Sequence, residues 1–172
     1  YPIVWIPRDP QWQNYVEIWK KVPLLTGFFN TTKLTVCTVV LQLLTSSLAA
    51  YAFAKLEFKG RDTIFMIYVM TISIPWQVYM VPQFMMMRSM GLADTHLAII
   101  CLQAFSAFGV FMMKQFYEGI PTELCEAARI DGMTEYQIWY RVMLPLSKPA
   151  LSTLTIFTFV NTWNDFLGPL IY

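Results

Sequence analysis

The sequence predicts an all-α fold: a polytopic transmembrane helix bundle with a helix–turn–helix module on its cytoplasmic side. Three observations predict it. Of 172 residues, 56% are apolar and only 13% are charged, whereas a soluble domain carries about a quarter charged residues. Four long stretches are almost free of Asp, Glu, Lys and Arg, and about 20 such residues in a helix cross a hydrocarbon core of ~30 Å. The basic residues gather in alternate links between those stretches, which fixes a direction of insertion.

Taken in order, the first span is 34–54, uncharged throughout, with Asn30 as its expected N-cap. The second, 64–87, contains Pro75 and Pro82 and is expected to be kinked or broken. The third, 97–113, has Asp94 or Thr95 as N-cap and Lys114 as its stop, and the fourth covers 150–172. Lys55, Lys59 and Arg61 follow the first span, and Lys114, Arg129, Arg141 and Lys148 follow the third, so both links are expected inside. The link from Arg88 to His96 holds one positive charge and is expected outside, as are residues 1–30 by alternation, although Arg8, Lys20, Lys21 and Lys33 weaken the bias. Ahead of the spans, Trp12, Tyr15, Val16 and Trp19 share one helical face between Pro10 and Pro23. That face suits either the headgroup layer or packing on other protein.

The link 114–149 is too long for a simple connection and is well punctuated. Pro121 and Thr122 open a helix with Glu123 and Glu126 in its first turn, where carboxylates complement the helix dipole. Gly132 after Asp131 stands where a left-handed glycine ends such a helix. Thr134 and Gln137 form a capping box for a second helix, expected to stop before Pro145. Ala127 and Ala128 make a small-residue patch beside Glu126 that admits a close neighbour. The module is therefore expected to touch a cytoplasmic partner.

In the fourth span Thr155, Thr158, Asn161, Thr162, Asn164, Asp165 and Gly168 fall on one half of the helix. Polar groups facing lipid are costly, so this half is expected to line a translocation path or to bond neighbouring helices. Asp165 is the acid inside the spans, in the outer part of the fourth. Gln77, just after Pro75, either lines a path or satisfies backbone freed by the break.

Several classes are excluded. A formal charge of +1 with scattered basic residues offers no nucleic-acid surface. Cys37, Cys101 and Cys125 have neither disulfide-framework nor zinc spacing, and the single His96 leaves no metal or His-dependent catalytic set. No phosphate-cradling G-x-x-x-x-G-K-[ST] loop occurs, so neither a cofactor nor an enzymatic activity is expected. The chain starts at Tyr1 without a signal-peptide pattern and reads as an internal fragment.

The string EAARIDG at 126–132, followed by VMLP at 142–145, resembles the E-A-A…G…I-x-L-P signature of membrane subunits of binding-protein-dependent ABC importers, with Val142 in place of the usual Ile. YAFAKLEFKGRD at 51–62, QFYEGIP at 115–121, LPLSKPA at 144–150 and WNDF at 163–166 resemble the carbohydrate-uptake branch, most closely its maltose-type second permease subunit. The likeness extends to the W-I-P at 5–7 and the N-Y at 14–15. It implies a six-span core of which this chain holds spans two to five. It also implies that the module is a coupling region docking on an ATPase, with Glu126, Ala127, Ala128, Asp131, Gly132, Leu144 and Pro145 as its marked residues. The implied partners are ABC ATPase subunits, a second permease subunit and an extracytoplasmic solute-binding protein, in a bacterial or archaeal plasma membrane. An ion-coupled secondary carrier or a non-transport membrane scaffold are the alternatives; the former usually places several acids or bases at the midplane.

Overall fold

The computed structural model describes residues 11–172, so the W-I-P at 5–7, Arg8 and Pro10 lie outside the described residues. The chain divides into two units, one ending at Lys33 and the other Leu34–Tyr172. In the first, α1 (Gln13–Lys21) forms as the spacing predicts, with Trp12 at its N-cap position and a Lys21–Glu17 pair along its surface. Its aromatic face is exposed, and Trp12 stacks on Tyr15.

Helix α2 (Leu24–Lys55) starts ten residues before the expected span, and Asn30 lies in its interior rather than at its cap. The reason is Pro23: its carbonyl accepts from Gly27 N, so the ladder starts there and nothing interrupts it. The buried stripe of α2 is small and hydroxylated, with Thr35, Thr38, Ser46, Ser47 and Ala50, which lets other helices approach closely.

The second span breaks at Pro75 and not at Pro82. Helix α3 (Arg61–Met70) continues into a 3-10 turn at Thr71–Ser73, Ile74 is extended as the residue before a proline must be, and α4 (Trp76–Ser89) carries Pro82 inside it. The two halves meet at 103°. The third span also differs from the continuous helix expected. Helix α5 (His96–Gln103), capped by the Thr95 hydroxyl, and α6 (Ala107–Glu118) are separated at Ala104–Ser106. The break is satisfied locally: Thr45 Oγ1 donates to Ala104 O at 2.6 Å, and Ser106 Oγ accepts from Gly109 N at 3.0 Å. Lys114 is not a stop. It is buried within α6, paired with Glu118 and 4.4 Å from the Phe65 ring centroid.

After α7 (Glu123–Ile130) and α8 (Glu135–Ile138), the chain does not stop before Pro145. A π-turn over Trp139–Met143 leads into α9 (Leu144–Leu146), and the wider turn absorbs the ladder position a proline cannot fill. At Ser147 the chain bends by 81° into α10 (Lys148–Trp163). Helix α10 ends at Trp163 rather than running on to Tyr172, because Asp165 Oδ1 accepts from Gly168 N at 3.0 Å and starts the separate α11 (Leu167–Ile171). Among the described residues Leu24–Lys55 and His96–Glu118 are long and apolar enough to cross a membrane, and counting each bent pair as one span gives up to four.

Two buried clusters organise the second unit. One joins Met113 and Tyr117 of α6 to Cys125, Ile138, Met143 and Leu154; the other joins Met87, Ile99, Ile100 and Tyr172.

Candidate functional site: a connecting module and a polar cavity

The module at 114–149 is built from the local signals its sequence carries. Gly132 has φ +80°, its N–H bonds Arg129 O, and Met133 N bonds Ala128 O, each at 3.0 Å. These are the two bonds of a Schellman turn closing α7. Thr134 and Gln137 then make both bonds of the capping box that starts α8. The interior is apolar and closed: Cys125, Ile138 and Met143 are fully buried, with Cys125 Sγ 3.7 Å from Met143 Sδ. Burial pushes the Cys125 thiol up from its ordinary value.

The marked residues divide between the two faces. Ala128 packs inward and Leu144 is half-buried, whereas Glu126, Ala127, Asp131, Gly132 and Pro145 are exposed. The alanine pair therefore does not form one patch; helical geometry turns neighbours about 100° apart. The outer face also carries apolar side chains, Ile130 at 86% and Tyr136 at 72% exposure, with Tyr140 beside them in sequence order.

Sequence reasoning missed the fastening of the module to α2. Arg129 and Glu135 bridge α7 and α8 at 2.7 and 3.3 Å, and the Tyr51 hydroxyl donates to the same carboxylate. One turn on, Lys55 Nζ donates to Ile120 O at 2.6 Å. The Arg129 guanidinium, aided by the Tyr51 hydroxyl, holds the Glu135 carboxyl below the usual carboxylate range, and Arg129 is raised in return. The available signal was the spacing of Tyr51 and Lys55, which places both on one face of α2.

The second feature is a cavity of about 420 Å³ between α2, α4, α5 and α10. Of the polar residues predicted in the fourth span, Thr158, Asn161, Thr162 and Asp165 line it. Asn164 does not: its amide donates to Val160 O at 2.7 Å, and Gln77 is exposed outside the lining. In their place stand Gln42, Gln83 and Gln103, amides inside apolar runs that the sequence reading passed over. Asp165 is engaged through both carboxylate oxygens. Besides capping α11 it accepts from Gln103 Nε2 at 2.7 Å, and Thr162 Oγ1 lies 3.3 Å from Gln103 Oε1. Gln83 Oε1 accepts from Trp76 Nε1 at 3.1 Å and from the Tyr172 hydroxyl at 2.9 Å. Among the described residues the buried Thr158 hydroxyl has no hydrogen-bond partner.

This network makes Asp165 a hydrogen-bonding residue, which sets an expectation. Asp165→Asn keeps an acceptor for Gly168 N–H, and Gln103 can turn its oxygen toward the new amide. Asp165→Leu strands both groups, at a cost of about 1–3 kcal/mol. Thermal unfolding of the full-length subunit in detergent should show a clear loss for Leu and a small one for Asn. Equal loss in both would mean the charge itself is required.

A family model described as binding-protein-dependent transport system inner membrane component matches residues 42–172. The chain belongs to this family. Among members with curated descriptions, the arabinooligosaccharides transport system permease protein AraQ of Halalkalibacterium halodurans is 37% identical over 170 residues, covering 98% of this chain and 61% of that protein. The lactose transport system permease protein LacG of Rhizobium radiobacter is 34% identical over 158 residues, covering 92% and 58%. A crystal structure of a bacterial ABC transporter involved in the import of the acidic polysaccharide alginate contains a similar chain, with TM-score 0.86, 32% identity, and coverage of 96% of this chain and 59% of that one. The chain thus spans about three fifths of the length of these relatives. The resemblance to the binding-protein-dependent family read from the EAARIDG string is borne out, as is the all-α fold: this is a multi-pass membrane component of that family.

Proposed function

We propose that the chain belongs to a permease subunit of an ATP-driven importer for a sugar or related polyol, in a bacterial or archaeal plasma membrane. It works with ABC ATPase subunits, a second permease subunit and an extracytoplasmic solute-binding protein. The module at 114–149 lies on the cytoplasmic side, a reading that Lys114, Arg129, Arg141 and Lys148 support, and docks on the ATPase. The observation that carries this reading is the exposed Ile130, beside Asp131 and Gly132, on a module whose interior is already filled. A large apolar side chain on a charged, water-facing surface suits a partner that covers it.

The division of labour follows. Glu126, Ala127, Asp131 and Gly132 form the contact face with Ile130, while Ala128 and Leu144 shape the frame behind it and the exposed Pro145 lies farther along the chain. Tyr51 and Lys55 fasten that frame to α2, so movement of the module by ATPase closure is passed to a helix lining the cavity. Thr158, Asn161 and Asp165 are the path-lining residues this geometry favours; Asn164 and Gln77 stand outside the cavity. Relatives described as transporting arabinooligosaccharides and lactose support a carbohydrate solute.

The test uses the full-length subunit coexpressed with its transporter partners. Ile130→Glu should reduce copurification of the ATPase subunit at least tenfold, as expected for a buried interface anchor worth about 2 kcal/mol, and leave membrane insertion unchanged. Normal copurification together with normal coupled hydrolysis would overturn the docking assignment.

A further inference from the structure

We propose that Tyr117 is the positioning residue of a hinge at Ser147, where the module meets α10, and that the module moves as one body with α2 while turning against α10. The proposal rests on the docking reading above and adds which joint moves and what sets its angle. The two joints differ in how their polar groups are paired. Toward α2 the groups are met: the Tyr51 hydroxyl donates to Glu135, which Arg129 also holds, and Lys55 Nζ donates to Ile120 O. Toward α10 they are not. Beside the 81° bend Tyr117 is fully buried, and among the described residues neither its hydroxyl nor the buried Trp139 Nε1 has a hydrogen-bond partner.

Both groups stand close to an acceptor that they do not engage. The side chains of Ser147 and Trp139 flank the Tyr117 hydroxyl, and Ser147, itself fully buried, donates its hydroxyl to Leu144 O at 3.0 Å. The Ser147 oxygen can still accept. A small turn of α10 about Ser147 therefore completes a chain: Trp139 N–H donates to the Tyr117 oxygen, Tyr117 O–H to Ser147 Oγ, and Ser147 O–H to Leu144 O. Bonds in such a chain strengthen one another, whereas a buried polar group without a partner is costly. The open chain thus disfavours the present angle and the closed chain favours the turned one, the differential interaction that a two-state element needs. The backbone permits the turn. A π-turn over Trp139–Met143 precedes the bend with a widened ladder, and beyond it α10 carries Thr158 and Asn161 to the cavity, opposite Gln42 of α2. Turning the joint moves one wall of the cavity against the other.

The experiment uses the full-length subunit assembled with its permease partner, ATPase subunits and binding protein, with Cys37 and Cys101 replaced and the buried Cys125 left in place. Spin labels at Glu123 and Ser152, exposed on α7 and α10, report the α10 joint, and labels at Leu44 and Glu123 report the α2 joint. Trapping with ATP and vanadate should shift the Glu123–Ser152 distance and leave the Leu44–Glu123 distance unchanged. Tyr117→Phe removes the unpaired hydroxyl at nearly constant shape. It should leave the thermal stability of the resting complex equal or higher, abolish most of the trapped shift, and lower binding-protein-stimulated ATP hydrolysis about 3- to 10-fold, the loss of one hydrogen bond. Ser147→Ala should lower hydrolysis by a similar factor, and the double variant no further than either alone. A hydroxyl that served only packing of the resting state would instead lower stability when removed and leave the trapped distance as it was. In a complex that retains its ATPase subunits, an unchanged Glu123–Ser152 distance on trapping, an equal shift at Leu44–Glu123, or wild-type hydrolysis in Tyr117→Phe would each overturn the hinge while the docking reading stands. Failure of the ATPase to copurify with the parent subunit would refute the docking reading and the hinge with it.

Discussion

Gly132→Val in the full-length subunit is expected to insert normally, yet to lose most of its ATPase capture and solute-stimulated hydrolysis. The backbone at Gly132 has φ +80°, a conformation that costs an ordinary L-residue about 1–2 kcal/mol and a β-branched one more. Among the described residues nothing lies within 4 Å of where its Cβ would be, so the defect is conformational and not a clash. Two consequences follow from that distinction. Gly132→Asn, which tolerates the left-handed region, should retain most of the coupling, whereas Gly132→Ala should fall between Asn and Val. If the turn flattens, Met133 N can no longer reach Ala128 O, and α8 leaves its place against α7 together with the Arg129–Glu135 bridge. The membrane-crossing helices satisfy their own backbone groups and are unaffected. Pulldown of the ATPase subunit and stimulated hydrolysis in proteoliposomes measure this series. Coupling in the Val variant equal to that of the wild type would refute the role of the turn.

The contrast between this turn and the rest of the chain shows what sequence reading reaches. Gly132, the Thr134–Gln137 box and the Thr95 cap were legible because each is completed by bonds within three to five residues. The breaks were harder. Pro75 and Pro82 carry the same intrinsic penalty, and what separates them is context: the 3-10 turn before Pro75 ends the ladder, while Pro82 lies within α4. The interruption at Ala104–Ser106 needs Thr45, 59 residues away, to take the freed carbonyl. Nor could the π-turn that lets the chain continue through Pro145 be read from a pattern that treats proline as a stop.

The candidate site divides in the same way. Thr158, Asn161 and Asp165 were found because a polar half of an apolar helix stands out within a single stretch. Gln42, Gln83 and Gln103 lie on three other helices, and only folding gathers them. The Tyr51–Glu135 bond spans 84 residues. Neither partner is unusual by itself, so the shared α2 face of Tyr51 and Lys55 was too weak a signal to reveal a fastening at the root of the proposed coupling module.

Gly109→Ala tests how tightly the bundle around that cavity is packed, and here two opposing magnitudes decide the sign. Alanine inside a helix is favoured over glycine by about 0.8–1.0 kcal/mol, so an open site would be stabilised. At Gly109 the added Cβ would lie 2.5 Å from Ser46 Oγ, 3.2 Å from Ser46 Cβ and 3.4 Å from Leu154 Cδ1. Ser46 is fully buried on α2 and Leu154 on α10, so neither can swing into solvent, and separating α6 from either would open the cluster around Met113 and Tyr117. Overpacking of this kind costs about 1–3 kcal/mol, which outweighs the helix gain. Gly109→Ala should therefore unfold at a lower temperature in detergent, and Gly109→Val should fail to accumulate. Pairing Gly109→Ala with Ser46→Gly removes both Ser46 contacts and moves the small side chain from α2 to α6, so the double variant should recover to within about 1 kcal/mol of wild type, a coupling between sites that independent substitutions would not show. Wild-type stability in Gly109→Ala alone, or no recovery in the pair, would show that α2 and α6 do not cross at the distance these contacts require.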